Sequence, residues 1–470
     1  MERAVTLGIW ALSVPALTGC SLTVAQGFRE CTTDADCPTG RVCAERYCVA
    51  APAGCESTFG ATDKTNRIPF GATLPLPPNG ALDGGADEAE KQRLNALVLA
   101  LDEVNHRGGV GGRPLALYLC RSGGDDSKAA EQTTWLTEQV RVPAVFTSGN
   151  AQTLAAATVS VPHDVLLMTA TSTGPELTAL DDANGGPVGL VWRTAPSDAL
   201  QGKALSAFLL SEPAFGATTR LGVAYTDDAY GKGLQQAVLD AYGAVPGKTA
   251  RGFAFTPGGT VAAAVKDLSD FAPQVTVLVA GGDDALRVLA AALAKPVLTK
   301  AQGHRWFFTD SAKGPTLLTA LASNEITLAY GTAPAQAKGS AFPGFRDRFK
   351  AKYASDPSSV PFTANSYDAM TVVALAAAWA AGSDGSGAVD GPGLAGGLSH
   401  LAAGSPYPLA PDQLGAAMTA LAGGDGVNVE GASGHLDFDS ATGDTAAPIE
   451  LWQISADAET FLSVKVLDTP

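Results

Sequence analysis

Basic residues are scarce and dispersed. The 470 residues hold 31 Lys and Arg against 47 Asp and Glu, a formal net charge of −16, and no block of basic residues occurs anywhere. A face that binds nucleic acid or an anionic bilayer needs clustered Lys and Arg, so neither is expected as a partner. The five histidines are scattered, with no HExxH and no neighbouring cysteine, so the chain lacks the ligand spacing of a zinc hydrolase. A GxSxG nucleophile elbow is also missing, and "GASG" at Gly431–Gly434 stands before the strand-like "HLDFD". "GGVGGR" at Gly108–Arg113 follows a helix and precedes a strand. That is the reverse of a dinucleotide loop, and it reads as a helix stop and turn. No enzyme, metal or cofactor is indicated. Beyond the N-terminus no apolar run is long enough to span a bilayer.

What is present begins with an export signal. Glu2 and Arg3 precede the apolar stretch "AVTLGIWALSVPAL", which is short for a bilayer span and ends in "LTGC" at Leu17–Cys20. These four residues resemble the lipobox of bacterial lipoproteins. The resemblance implies that residues 1–19 are removed and that Cys20 becomes the acylated first residue. Several acyl chains at ~0.8 kcal/mol per buried CH2 make a durable anchor. Ser21 implies an outer-membrane rather than an inner-membrane destination, with the protein facing the periplasm. A plain secretory signal that happens to contain a cysteine is the other reading.

Removing Cys20 leaves six cysteines, and an even number in an oxidising compartment reads as disulfides. Cys31, Cys37, Cys43 and Cys48 crowd into "CTTDADCPTGRVCAERYCVA", without the paired CxxC of a zinc site and without a histidine among them. A small stapled module or stalk is expected over residues 20–65. Cys55 and Cys120 are expected to bridge to each other and tie that stalk to the body. In the chain-entropy model such a loop contributes ~4 kcal/mol.

The stretch "APAGCESTFGATDKTN" reads as a polar linker, with regular structure expected from Ile68. Beyond it, apolar β-branched runs alternate with helical periodicity, the mark of parallel α/β units. Leu94, Leu97, Val98, Leu101 and Val104 share one helical face. Strand-like runs follow at "PLALYL", "PAVFT", "VLLMT", "RLGVAYT", "VTVLVA", "RWFFT" and "ITLAYG", enough for two open parallel sheets. Two of them run straight into small hydroxyl residues: "VPAVFT" into "SGNAQT" at Ser148–Thr153, and "VLLM" into "TATSTGPELT" at Thr169–Thr178. Hydroxyls at strand ends are ordinary helix N-caps. Two adjacent ends so furnished also suit an anion cradle, because helix N-termini there present unpaired N–H groups.

"VNHRGGVGGRPLALYLCRSGGDD", "TATSTGPEL", "WRTAPSDALQG", "VAYTDDAYGKGL", "ANSYDAM" and "GASGHLDFDSATGD" occur in this order. From about Ile68 to the C-terminus, the chain resembles the type I periplasmic solute-binding proteins, specifically the branched-chain amino acid (leucine/isoleucine/valine) receptors of ABC transport systems. The resemblance implies an α/β fold of two Rossmann-like lobes with parallel sheets, joined by a three-segment hinge. Lobe 1 would comprise residues 66–194 and 334–445, lobe 2 residues 195–333 and 446–470. It also implies a monomer without a cofactor that closes on a small polar ligand, an amino acid or related zwitterion, and hands it to an ABC permease. A ligand sensor, or a regulator of an envelope enzyme, is the alternative on the same fold.

By the same resemblance Thr171 and Thr173 fall where the ligand's α-carboxylate and amino group are held, and Asn150 falls where the family usually has a helix-start serine. Asp310 matches an acidic position that pairs with the ligand's ammonium. Tyr230 and Tyr367 match aromatics lining the cleft. Two departures stand out. Asp283 occupies a position where the amino acid receptors often have an aromatic, and Ala89 lies near one often held by Trp, which implies a roomier and more acidic cleft. Each has a plainer alternative: Asp283 as a cap of the helix "DALRVLAAAL", Asp310 as a turn cap, and Tyr367 as core.

Overall fold

In the computed structural model the described residues are 29–467, apart from 45, 56, 64–65, 79–84, 320–322, 336–340, 384–386, 405 and 446–447. The signal segment and Cys20 lie outside them. None of the described helices is long and apolar enough to cross a membrane.

The cysteine-rich segment folds as a hairpin of β1 (Arg41–Ala44) and β2 (Tyr47–Ala50), stapled by Cys31–Cys43 and Cys37–Cys48. It is not a free stalk. Val42 and Ala44 pack into a core cluster with Tyr118, Trp135 and Val140, and the Tyr118 hydroxyl donates to the Cys43 carbonyl at 2.9 Å. Cys55 bonds to Cys120. The linker reading of the following residues is also corrected: Ser57–Gly60 form β3, an antiparallel edge strand on the first large sheet. Its four residues hold a single large apolar side chain, Phe59, and gave no apolar run to read.

That sheet has the order β3-β5-β4-β6-β7-β8, in which β4 (Ile68–Leu74), β5 (Leu115–Arg121), β6 (Ala144–Thr147), β7 (Leu166–Thr169) and β8 (Val191–Arg193) are parallel. Its central strands are buried along almost their whole length, as expected where helices cover both faces. Among those helices are α1 (Gly85–His106) and α2 (Asn150–Ser160). Leu94, Leu97, Leu101 and Val104 of α1 are buried, as the periodicity predicts.

The second sheet has the order β10-β9-β11-β12-β13-β18-β19. Its parallel strands are β9 (Arg220–Thr226), β10 (Thr249–Phe255), β11 (Val275–Val279), β12 (Arg305–Phe308) and β13 (Tyr330–Pro334). The expected strand "ITLAYG" is trimmed at its start, because Ile326 ends a helical turn. Helices α3 (Asp198–Ser211), α4 (Ala229–Gly243) and α5 (Gly282–Ala292) belong to this lobe. The chain then returns to the first lobe, where the 21-residue helix α6 (Thr363–Ser383) packs on α1. Two short pairs follow: β14 (Pro406–Pro408) with β15 (Asn428–Glu430), and β16 (Phe438–Asp439) with β17 (Asp444–Thr445). Finally β18 (Ile449–Ile454) and β19 (Phe461–Leu467) close the second sheet in antiparallel fashion.

The chain therefore passes between the lobes three times: after β8, after β13 and after β17. Arg193, at the end of β8, braces the first crossing. Only 2% exposed, it bonds Asp444 of the third crossing at 2.7 Å and the Gly174 carbonyl at 2.8 Å. A buried guanidinium needs such partners, and removing one would strand the charge.

Candidate functional site

Both sheets reverse strand order beside their first parallel strand: β5 and β6 flank β4, and β10 and β11 flank β9. Loops leaving neighbouring strand ends diverge at such a point and open a crevice. Here the two crevices face each other across a cleft of about 770 Å³, within the ~300–1,000 Å³ usual for small-molecule sites.

On lobe 1 the wall is the N-terminus of α2. Gly149 is its N-cap with φ of 83°, a left-handed conformation suited to glycine, and leaves the helix end without a side-chain cap. The first intrahelical bond runs from the Thr153 N–H to the Gly149 carbonyl, so the N–H groups of residues 150–152 precede it. Asn150 is 7% exposed and lines the cleft. Its Oδ1 accepts from the Gly174 N–H at 3.1 Å, while its Nδ2 has no partner among the described residues. A buried amide donor left unpaired costs about 1–3 kcal/mol, so an acceptor arriving there is favoured.

The hydroxyls around it are mostly spoken for. Ser148 donates to Glu90 at 3.0 Å, so the 2.9 Å bond between Ser148 and Thr171 is donated by Thr171, whose oxygen accepts from the Gly149 N–H at 2.9 Å. Thr147, Thr153, Thr169 and Ser172 are buried and bonded among themselves. The hydroxyl-rich ends of β6 and β7 thus form an internal network that fixes two loops. Of the expected pair, Thr171 lines the cleft and Thr173 does not. Thr173 is 1% exposed, with its carbonyl accepting from the Asp198 N–H at 2.7 Å.

On lobe 2, Asp310 follows β12, opens a short 3-10 turn and is 3% exposed at the cleft wall. Its Oδ1 accepts from Gln201 Nε2 at 2.8 Å and from the Tyr230 hydroxyl at 2.9 Å. Burial pushes its pKa up, and those two donors oppose the shift. Tyr230, at the start of α4, also lines the cleft and bonds Thr309 at 2.9 Å. Burial and the charges of Asp310 and Asp198 hold its phenol well above the ordinary range. Asp283 lines the cleft as well, exposed in the first turn of α5. The helix cap is Gly281, so Asp283 is not the cap residue.

Tyr367 is corrected to core. It is fully buried on α6, its ring 4.8 Å from Phe345, and its hydroxyl donates to Glu103 at 2.6 Å. Helix α6 is buried on nearly every side along its first five turns, so one more aromatic on it has no open face to reach.

Sequence reasoning missed several cleft residues. Glu90 and Arg93 of α1 are paired at 2.9 Å, and the Arg93 guanidinium lies 5.7 Å over the Phe362 ring. Phe362 carries a φ of 67°, uncommon for an aromatic residue and the kind of backbone strain found at ligand sites. The string "DEAEKQR" held a signal, five charged residues at the start of an amphipathic helix, but nothing in it told the cleft face from a solvated one. Asp198 was missed too. It begins α3 just past the first crossing, is fully buried, and neither carboxylate oxygen has a hydrogen bond of good geometry among the described residues. Burial, followed by the charge of Asp310, pushes its pKa well up.

A family model described as "Periplasmic binding protein" matches residues 79–459. The chain belongs to the type I periplasmic binding protein family. Among solved structures, this periplasmic binding protein is similar to the leucine binding protein LivK of Thermotoga maritima, with a TM-score of 0.67 at 17% identity over 85% of this chain and 99% of that one. LivJ of Streptococcus pneumoniae, solved with isoleucine, gives a TM-score of 0.64 at 20% identity over 85% and 99%. A solute binding protein of Rhodopseudomonas palustris, solved with 3,4-dihydroxybenzoic acid, gives 0.64 at 15% identity over 86% and 98%. At these identities the likeness is one of fold. By sequence, the chain is 25% identical over 377 residues to BasB of Halobacterium salinarum, a chemotactic signal transduction system substrate-binding protein, covering 80% of this chain and 84% of BasB. These relatives are solute-binding proteins, not enzymes.

Proposed function

We propose that the cleft captures a small zwitterion, an amino acid or close relative, and that closure of the lobes around it is the signal read by a membrane partner. The observation that carries this reading is the opposition of unlike groups on the two walls: the unpaired Asn150 amide at the N-terminus of α2, and the buried Asp310 carboxylate on lobe 2. A carboxylate suits the first, since helix N–H groups and dipole favour negative charge. An ammonium suits the second, since it would neutralise a carboxylate that burial disfavours. A ligand with both groups touches both lobes, and only such differential contact can favour the closed state.

The partner is an ABC permease, with the protein held at the envelope through acylated Cys20, in the outer membrane rather than the inner. A second reading, a receptor that signals without transport, is favoured by the likeness to BasB. Thermal-shift screening against amino acids and aromatic acids tests the ligand class. A ligand at 100 times its Kd stabilises by about 2.7 kcal/mol. Shifts from aromatic acids alone would refute the zwitterion reading.

A further inference from the structure

The basic side chains of the cleft are already engaged. Arg93 pairs with Glu90 at 2.9 Å, Arg287 pairs with Asp284 at 2.5 Å, and Lys313 turns to Glu450. That leaves Asp283, exposed and with no hydrogen bond or ion pair among the described residues. Glu88 is nearly as bare, its nearest base Lys91 lying 3.9 Å away with both side chains more than half exposed. Glu88 sits in the first turn of α1 on lobe 1 and Asp283 in the first turn of α5 on lobe 2, and both line the same cavity. The helix dipoles account for each acid separately. They do not relieve the repulsion that closure brings when two like charges approach from opposite walls of a chain already at −16. A cation held between them would.

The cavity also says where the rest of such a ligand lies. The unpartnered, 7% exposed Nδ2-bearing Asn150 and the 3% exposed Asp310 fix its carboxylate and first ammonium. Strands β11 and β12 are adjacent and parallel, with Leu278 beside Phe308, so the loop carrying Asp283 leaves the sheet next to the one carrying Asp310. A side chain growing from an α-carbon at Asp310 therefore has Asp283 as its neighbour on that wall.

We infer that the ligand carries a second cationic group on its side chain, seated between Asp283 and Glu88: a dibasic amino acid of the arginine, lysine or ornithine class. The inference rests on the zwitterion reading and narrows it. The test is calorimetric titration of the full chain with L-arginine, L-lysine, L-ornithine, L-leucine and L-glutamate, using wild type, Asp283→Asn and Glu88→Gln. At least one dibasic amino acid should bind tenfold or more tighter than leucine. Asp283→Asn should erase most of that preference, with a smaller loss in Glu88→Gln. Equal or tighter binding of leucine in the wild type, or a dibasic preference untouched in both variants, overturns the second cationic subsite and leaves the zwitterion reading standing. Failure of every amino acid to bind overturns both. Calcium chloride serves as the control: a calcium-induced melting shift abolished by Asp283→Asn, without dibasic binding, would assign these acids to a metal instead.

Discussion

Replacing Asp310 by Asn isolates the charge at the centre of the cleft. The side chain keeps its shape, and its carbonyl oxygen can still accept from Gln201 and Tyr230, which both reach Oδ1 at under 3 Å in the wild type. The ligand-free protein should therefore keep its unfolding free energy to within about 1 kcal/mol, the scale of one net hydrogen bond. The sign even favours the variant, because Asp310 is the charge that adds to the burial shift of Asp198. Binding behaves differently. A ligand ammonium entering a site 3% exposed is stripped of water and left without its anion. Breaking such a pair costs about 3–5 kcal/mol, which at 1.4 kcal/mol per decade is a loss of affinity of at least ~100-fold. Calorimetric titration measures it directly. Wild-type affinity in Asp310→Asn, with the melting point unchanged, would mean that the ammonium sits elsewhere.

Other outcomes follow from the same geometry. Asp198 and Asp310 keep their protons to higher pH in the folded protein than in the unfolded chain, so the associated stability is present below about pH 4 and falls as pH rises through their raised pKa values. Asp368, pushed up to about 6 by burial, acts in the same direction, whereas His304, held near 4, opposes it. Melting curves at pH 5 and pH 8 should accordingly show a smaller loss towards pH 8 in Asp198→Asn than in wild type, and an unchanged difference would remove Asp198 from the account. Tyr367→Phe deletes the 2.6 Å bond to Glu103 and should cost about 1.5–3 kcal/mol of stability on denaturant unfolding without altering ligand affinity. Cys20→Ser should move the protein from the membrane fraction to the soluble periplasm. Retention after a salt wash would count against the anchor.

The two-lobe fold was legible because most central parallel strands are apolar runs separated by helical periodicity, and neither signal depends on long-range contacts; the half-exposed edge strand β10 and the three-residue β8 gave no such run. Sites at strand ends were legible in type and less so in detail. Asp310 and Tyr230 are in the cleft wall and bonded to each other. Thr173 and Tyr367 are not, because a hydroxyl after a strand looks the same in sequence whether it faces solvent or a neighbouring loop. A tyrosine on a helix buried on every side carries no mark of that burial. Glu90, Arg93 and Phe362 escaped because their significance comes from α1 and the approach to α6 meeting over the cleft, a contact between residues far apart in the chain. The hairpin's docking escaped for a similar reason: disulfide spacing shows that a segment is stapled and not what it packs against.

The account turns on one ligand using both walls at once. For whichever amino acid gives the largest thermal shift, its N-acetyl derivative removes the charge meant for Asp310, and its α-amide removes the charge meant for Asn150 and the N-terminus of α2. Titrating the wild-type protein with all three should show both derivatives losing at least ~100-fold in affinity, the loss of one partner of a desolvated charge pair. A derivative that binds as tightly as its parent would contradict the account.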